Sequence, residues 1–197
     1  LALGGATLGI ILSTLTSYVV VRVRTRSSAV LEALTFLSFS FPGLVIGVGF
    51  MWLFARTDLY GTLWALLIGY VAVYLPYGIR PLTSTFIQIS KDLEDASAVS
   101  GAGFFRTFRK VVAPLALPGV LSGWTLLLVM FVRELDVSTV LARPGSEVLS
   151  VQLYRAVADA LWGRVAALGL IMVAISTTLV LIANGLASRF SRMGKAG

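Results

Sequence analysis

Five long apolar runs, separated by clusters of charge, set the pattern of the chain. The first extends from Leu1 to about Val21 and stops at Arg22-Val23-Arg24-Thr25-Arg26. The second runs from Leu34 to Ala55 and ends at Arg56-Thr57-Asp58; the third runs from Gly61 to Ile79 and is closed by Arg80-Pro81. A fourth covers about Val111 to Val132, and a fifth Val165 to Ala187, before a basic tail of Arg189, Arg192 and Lys195. Each approaches the roughly 20 residues that a helix needs to cross the hydrocarbon layer. The pattern predicts an all-α integral membrane protein of about five transmembrane helices, a single domain over residues 1–197. Two polar connections interrupt it, at about 89–110 and about 133–164.

The first connection is the longest island of small and polar residues, Leu93 to Gly103. Ser90 can cap a helix there, Asp92 and Glu94 suit the positive end of its dipole, and Gly101 can stop it. These signals predict a helix of about three turns lying across the membrane face. Its Leu93, Ala96 and Ser100 side is small and mildly apolar, a shape that fits a groove on another protein. Phe104, Phe105 and Phe108, with Arg106, Arg109 and Lys110, then form an aromatic and basic collar at headgroup level. In the second connection the turn signal Arg143-Pro144-Gly145-Ser146 precedes Leu149, Leu153, Val157 and Leu161, one apolar stripe of a short helix along the outer interface. Arg155 and Asp159 can pair at i,i+4 on another face.

Composition agrees with a membrane protein: 57% of the 197 residues are hydrophobic and 13% charged. The formal charge of +7 and pI near 10.3 raise nucleic acid as a partner, until the cations are placed. Five spans put the chain ends on opposite sides. The side of the Arg22 loop, the first polar connection and the tail then holds eleven of the sixteen Lys and Arg against Glu32, Asp92, Glu94 and Asp95, which is the whole formal charge. The other side is balanced. The positive-inside rule makes the basic side and the C-terminus cytoplasmic, and leaves nucleic-acid binding without support.

With no cysteine and no histidine, disulfides, zinc sites and thiolate or imidazole catalysis are excluded. No phosphate-binding loop is present either: Met193-Gly194-Lys195 lacks the first glycine and the hydroxyl residue of that motif. The chain is expected to bind no cofactor or metal and to have no catalytic residues. Its start at Leu1, without a basic leader, leads to the expectation of a piece of a longer chain.

Within the spans, Gly43 with Gly47 and Gly119 with Gly123 form two G-x-x-x-G pairs, which serve close packing inside the chain or against a second subunit. Pro42, Pro76, Pro114 and Pro118 are tolerated in membrane helices where neighbours satisfy the freed carbonyls. Tyr70, Tyr74 and Tyr77 share one face of the third span: a hydroxyl stripe that could line a polar path, or ordinary packing and interfacial anchoring. Arg133, Glu134 and Asp136 crowd the outer end of the fourth span, either as a gate or as a solvated helix end.

Asp95-Ala96-Ser97, three residues, Gly101, nine residues, Val111, one residue and Ala113-Pro114 resemble a known signature, E-A-A, three residues, G, nine residues, I-x-L-P. It belongs to permease subunits of binding-protein-dependent ABC importers. The spacing is met throughout, with Asp for Glu, Ser for the second Ala, Val for Ile and Ala for Leu. The resemblance implies a five-helix type I permease core whose polar loop is a coupling helix, with Asp95, Ala96, Ser97, Gly101 and Pro114 in the ATPase-coupling motif. It implies as partners two ATPase subunits that use ATP and Mg, an extracytoplasmic substrate-binding protein and a second permease half, identical, paralogous or fused. Phe41-Pro42-Gly43-Leu44-Val45-Ile46-Gly47 and Arg133-Glu134-Leu135-Asp136-Val137-Ser138-Thr139-Val140-Leu141 look like the ferric-iron permeases, whose relatives carry phosphonate, thiamine or polyamine. Permeases of the ferric group often fuse two such halves, of which this chain could be one. The expected place is the prokaryotic inner membrane. A secondary carrier or a non-transporting scaffold are the readings of other classes.

Overall fold

The computed structural model describes residues 1–23 and 25–193, with side chains as far as residue 183 and Gly185. Arg24 and the side chains of Arg189, Arg192 and Lys195, which carry part of the charge partition, lie outside the described residues.

Helix α1 (Ala2–Val23) buries Gly5, Gly9, Ser13 and Ser17 at four-residue intervals, a seam of small side chains along one face. A Cβ on Gly5 would stand 2.8 Å from the Phe131 ring, so the seam lets α1 approach its neighbours at backbone distance. Ser13 and Ser17 donate across it to the carbonyls of Leu75 and Ile79, at 3.3 and 3.2 Å.

The second apolar run is a broken span. After the Thr25 cap, α2 covers Arg26–Phe36 and a 3₁₀ turn covers Leu37–Ser40; α3 (Gly43–Phe54) then leaves at 106° to the preceding segment. Pro42 forces Phe41 into extended backbone and offers no N–H, so the helical ladder cannot pass this point. A straight crossing from Leu34 to Ala55 is therefore corrected to a bent pair.

Helix α4 (Leu63–Gln88) runs through both Pro76 and Pro81 instead of closing at Arg80-Pro81. Packing against α1 and against the fourth apolar run holds it together where a soluble helix would stop. Arg80 accordingly sits within a helix rather than in a loop, its guanidinium 4.8 Å from the centre of the Phe36 ring.

Helix α5 (Lys91–Val99) is the short polar helix. A turn of helix, α6 (Phe104–Thr107), a π turn at Phe108–Val112 and α7 (Ala113–Val132) follow as one rod, so the fourth span begins earlier than Val111. The π turn comes directly before Pro114, whose ring would press on the carbonyl four residues back in a regular α-helix. Short helices α8 (Asp136–Leu141) and α9 (Leu149–Ala158) lead to α10 (Trp162–Met193).

The core lies where α1, α4 and α7 meet, with Ile10, Leu66, Tyr70, Phe86, Leu127 and Phe131 buried together. Gly43 and Gly47 pack on α8, Gly119 on Thr85 and Gly123 on Ile10, so both glycine pairs serve packing within the chain. Helix α10 rests on α7 and α9 through half-buried residues such as Leu168, Met172 and Leu179, and turns Leu170, Val173, Leu181 and Ile182 outward as an apolar surface. Helix α9 buries Ser150, Val151 and Ala156, whereas Val157 and Leu161 of the expected stripe are exposed. Arg155 pairs with Glu147 across the turn rather than with Asp159.

Candidate functional site

Helix α5 is fixed at both ends by its own sequence. The Ser90 hydroxyl accepts from the Asp92 N–H at 3.2 Å. At the other end Gly101, at φ +80°, donates to the Ala98 carbonyl, and Ala102 donates to that of Ser97, satisfying the last carbonyls as a Schellman turn. Only Glu94 and Ser97 are even half-buried on this helix. Asp95, Ala96 and Gly101 face away from the body with Leu93, and Val99 is 90% exposed.

The structure thus brings three of the five motif residues onto one open surface. Ser97 turns the other way and shares a hydrogen bond with Thr107 of α6 at 2.9 Å. Pro114 is exposed in the first turn of α7, past the π turn, and does not join the outer face of α5.

Beneath α5 lies a junction that the pattern of residues did not single out. The Arg22 Nε donates to Glu94 Oε1 at 2.6 Å, and its Nη2 donates to the Ile89 carbonyl at 2.9 Å. The Tyr18 hydroxyl donates to Glu94 Oε2 at 2.7 Å. The Tyr18 ring stands edge-on to Phe86, Phe104 and Phe108, with centroids 5.7, 6.0 and 5.4 Å away. Glu94 and Arg22 together therefore join α5 to the ends of α1 and α4, under the aromatic half of the expected collar. Phe105, Arg106, Arg109 and Lys110 line an open pocket beside it.

At the opposite end the residues proposed for a path separate. Tyr70 is buried and shares a hydrogen bond with Ser138, while Tyr74 and Tyr77 are half-buried, their ring centroids 5.7 Å apart. Tyr77 also packs edge-on to Phe39 of the 3₁₀ turn at 5.0 Å. Glu134 is 2% exposed: it accepts from the Val137 and Ser138 N–H groups at 2.7 and 3.0 Å and from the Ser138 hydroxyl. It caps α8, and its own carbonyl accepts from Ser150. Burial pushes the Glu134 carboxyl above its ordinary range, against the three donors, which favour the anion. Asp136 is exposed and rests on Gly43. Arg133 lines an open cleft of about 440 Å³ with Leu153, Met172, Ser176 and Thr177. Among the described residues no group of three or more acidic side chains is placed to hold a metal ion.

A broken span beside a three-helix core of long apolar helices, with a capped polar helix on one face, makes this a multi-pass helical membrane protein. The chain belongs to the family of binding-protein-dependent transport system inner membrane components, whose profile matches residues 5–192. It is 26% identical over 197 residues to the spermidine/putrescine transport system permease protein PotC of Escherichia coli, covering 100% of this chain and 74% of that protein. The Fe(3+)-transport system permease protein FbpB 2 of Haemophilus influenzae is 27% identical over 158 residues, 79% of this chain and 31% of that protein. The fold is that of the MetNI methionine ABC transporter in an inward facing conformation: TM-score 0.72 at 16% identity, over 96% of this chain and 94% of that one. The protein is thus a multi-pass inner-membrane permease component of the ABC importer type and not an enzyme, which sets aside the secondary-carrier and scaffold readings.

Proposed function

We propose that this chain forms half of a substrate pathway and is driven through α5 by ATPase subunits that bind and hydrolyse ATP with Mg. The observation that carries this reading is a helix capped at both ends and anchored on its inner side, while Asp95, Ala96 and Val99 stand open. A helix of nine residues is marginal in isolation, so a face kept rigid and uncovered fits a protein partner. The α5 end and the C-terminus are cytoplasmic in this reading, and an extracytoplasmic binding protein delivers substrate to the Arg133 end. A second permease half, identical, paralogous or fused, completes the path. Tyr74, Tyr77, Arg133 and Asp136 face that path, whereas Tyr70 and Glu134 hold its walls. Alternating access follows when ATP binding draws the two α5 helices together and hydrolysis releases them.

A cysteine at Ala98 crosslinks to the ATPase in the assembled complex if this is correct. A complex that assembles without that crosslink removes the coupling role.

For the substrate, a polyamine is supported by likeness to PotC over the whole chain, and ferric iron by likeness to FbpB 2 over 158 residues. Cells carrying the complete system, offered labelled spermidine, ferric iron, thiamine and a phosphonate in parallel, accumulate the first under the polyamine reading. Accumulation of iron alone reverses the order.

A further inference from the structure

Three features of the junction beneath α5 bear on how motion leaves that helix. First, the chain turns sharply at Ile89-Ser90, where α4 ends and α5 starts, so force on α5 could dissipate by hinging there. Second, a single guanidinium spans this turn, holding the Ile89 carbonyl on one side and the Glu94 carboxylate on the other. Third, the same carboxylate takes the Tyr18 hydroxyl, one turn before Arg22 on α1. Both partners in the ion pair are largely shielded, with side chains 11% and 14% exposed. A shielded, hydrogen-bonded pair resists displacement far better than a surface pair. Helix α1, in turn, is packed at backbone distance against α4 and α7 along its small-residue seam.

We propose that Arg22, Glu94 and Tyr18 form a rigid joint that transmits displacement of α5 to the cytoplasmic ends of α1 and α4. Glu94 is a positioning residue here: it faces the membrane body, while its neighbour Asp95 faces the partner. The proposal rests on the coupling reading of α5 and assigns a different residue set to a different step.

The test uses the whole complex with its ATPase subunits and binding protein, reconstituted in lipid, in Glu94→Gln, Arg22→Gln, the double variant and Tyr18→Phe. Tyr18→Phe removes one hydroxyl and keeps the ring contacts, so it reports on the joint even where the charge variants fold poorly. The readout is ATP hydrolysed per labelled spermidine or ferric ion taken up, whichever the wild type accumulates. Glu94→Gln is expected to raise that ratio about tenfold, the size of a contact-pair coupling energy of roughly 1.4 kcal/mol, with the double variant no worse than either single one. Tyr18→Phe is expected to raise it by about threefold to fivefold, less than Glu94→Gln, because it removes one of the two donors to the carboxylate and leaves the ion pair in place.

A second measurement needs no substrate. Spin labels at Leu15 and Lys91, both exposed, report the distance between α1 and α5. The joint predicts the same narrow distance in nucleotide-free and vanadate-trapped complexes, and a shift or broadening on trapping in Glu94→Gln. An unchanged ATP-to-substrate ratio in assembled Glu94→Gln and Tyr18→Phe complexes overturns the joint, as does a label distance that changes in the wild type. Either result with the Ala98 crosslink still present leaves the coupling reading standing; loss of the crosslink removes that reading itself.

Discussion

Two glutamates, at opposite ends of the molecule, are both held by hydrogen-bond donors, three at Glu134 and two at Glu94, and do opposite things. Glu134 takes its hydrogen bonds from Val137 and Ser138, three and four residues ahead, and so builds one turn of its own neighbourhood. Glu94 takes its bonds from Tyr18 and Arg22, 76 and 72 positions away, and so ties separate helices together. A carboxylate satisfied locally adds stability to one element. One satisfied from a distance couples elements, and its loss is felt in motion more than in folding.

The contrast is tested most severely at Glu134. Replacing it by Ala strips buried Val137 and Ser138 N–H groups of their acceptor and should cost about 3 kcal/mol, read as a lower unfolding temperature of the purified complex. Coupling in whatever complex still assembles should be normal. Its pH dependence has a definite sign. Because burial raises this carboxyl, the native state holds the proton more tightly than the unfolded chain does. Stability from this group is therefore greatest at low pH and falls as pH rises from the ordinary glutamate range through the raised native value. Glu134→Gln should flatten that fall; a slope equal to wild type would show that another group carries it.

Asp95→Lys probes the other end from the outside. It touches nothing in the chain's own fold, so stability should be unchanged while ATP hydrolysed per substrate rises about tenfold, a loss of roughly 1.4 kcal/mol in contact energy with the partner. Wild-type transport in this variant would move the ATPase contact away from Asp95. Gly101→Ala should have a smaller effect. A Cβ there meets no atom within 4 Å, so the whole cost is that of φ +80° for a residue with a side chain, about 1 kcal/mol. The last turn of α5 should fray, seen as faster hydrogen exchange at Gly101 and Ala102 and not elsewhere.

Local rules made α5 readable before any coordinates: Ser90, Asp92 and Gly101 are start and stop signals that act within four residues. The glycine pairs were readable for the same reason. Glu94 was not, because no short-range pattern links it to Arg22, which looks like an ordinary stop charge after an apolar run. Arg80-Pro81 reads as a helix end because proline stops helices in water, whereas α4 passes through it with neighbours packed on both sides. The Leu149 to Leu161 stripe shows a deeper limit. Periodicity reports that one face is apolar, but beside a membrane an apolar face can look outward, as Val157 and Leu161 do. Pro42 reads as a proline tolerated inside a continuous second span, because the break there and its 106° angle depend on α3 lying against α8, a contact between segments some ninety residues apart.

The smallest effect is expected at the second ion pair, and it isolates what makes the first one matter. Arg155 and Glu147 lie eight residues apart in the outer connection, with side chains 49% and 21% exposed, against 11% and 14% for Arg22 and Glu94. Water screens the outer pair and both of its partners belong to one local turn, so Arg155→Ala should change stability by less than about 0.5 kcal/mol. It should leave the ATP-to-substrate ratio untouched, since no helix end is joined through it. If Arg155→Ala uncoupled the complex as strongly as Glu94→Gln, the distinction between a local and a bridging carboxylate would fail, and any charged contact would serve as well as the shielded one beneath α5.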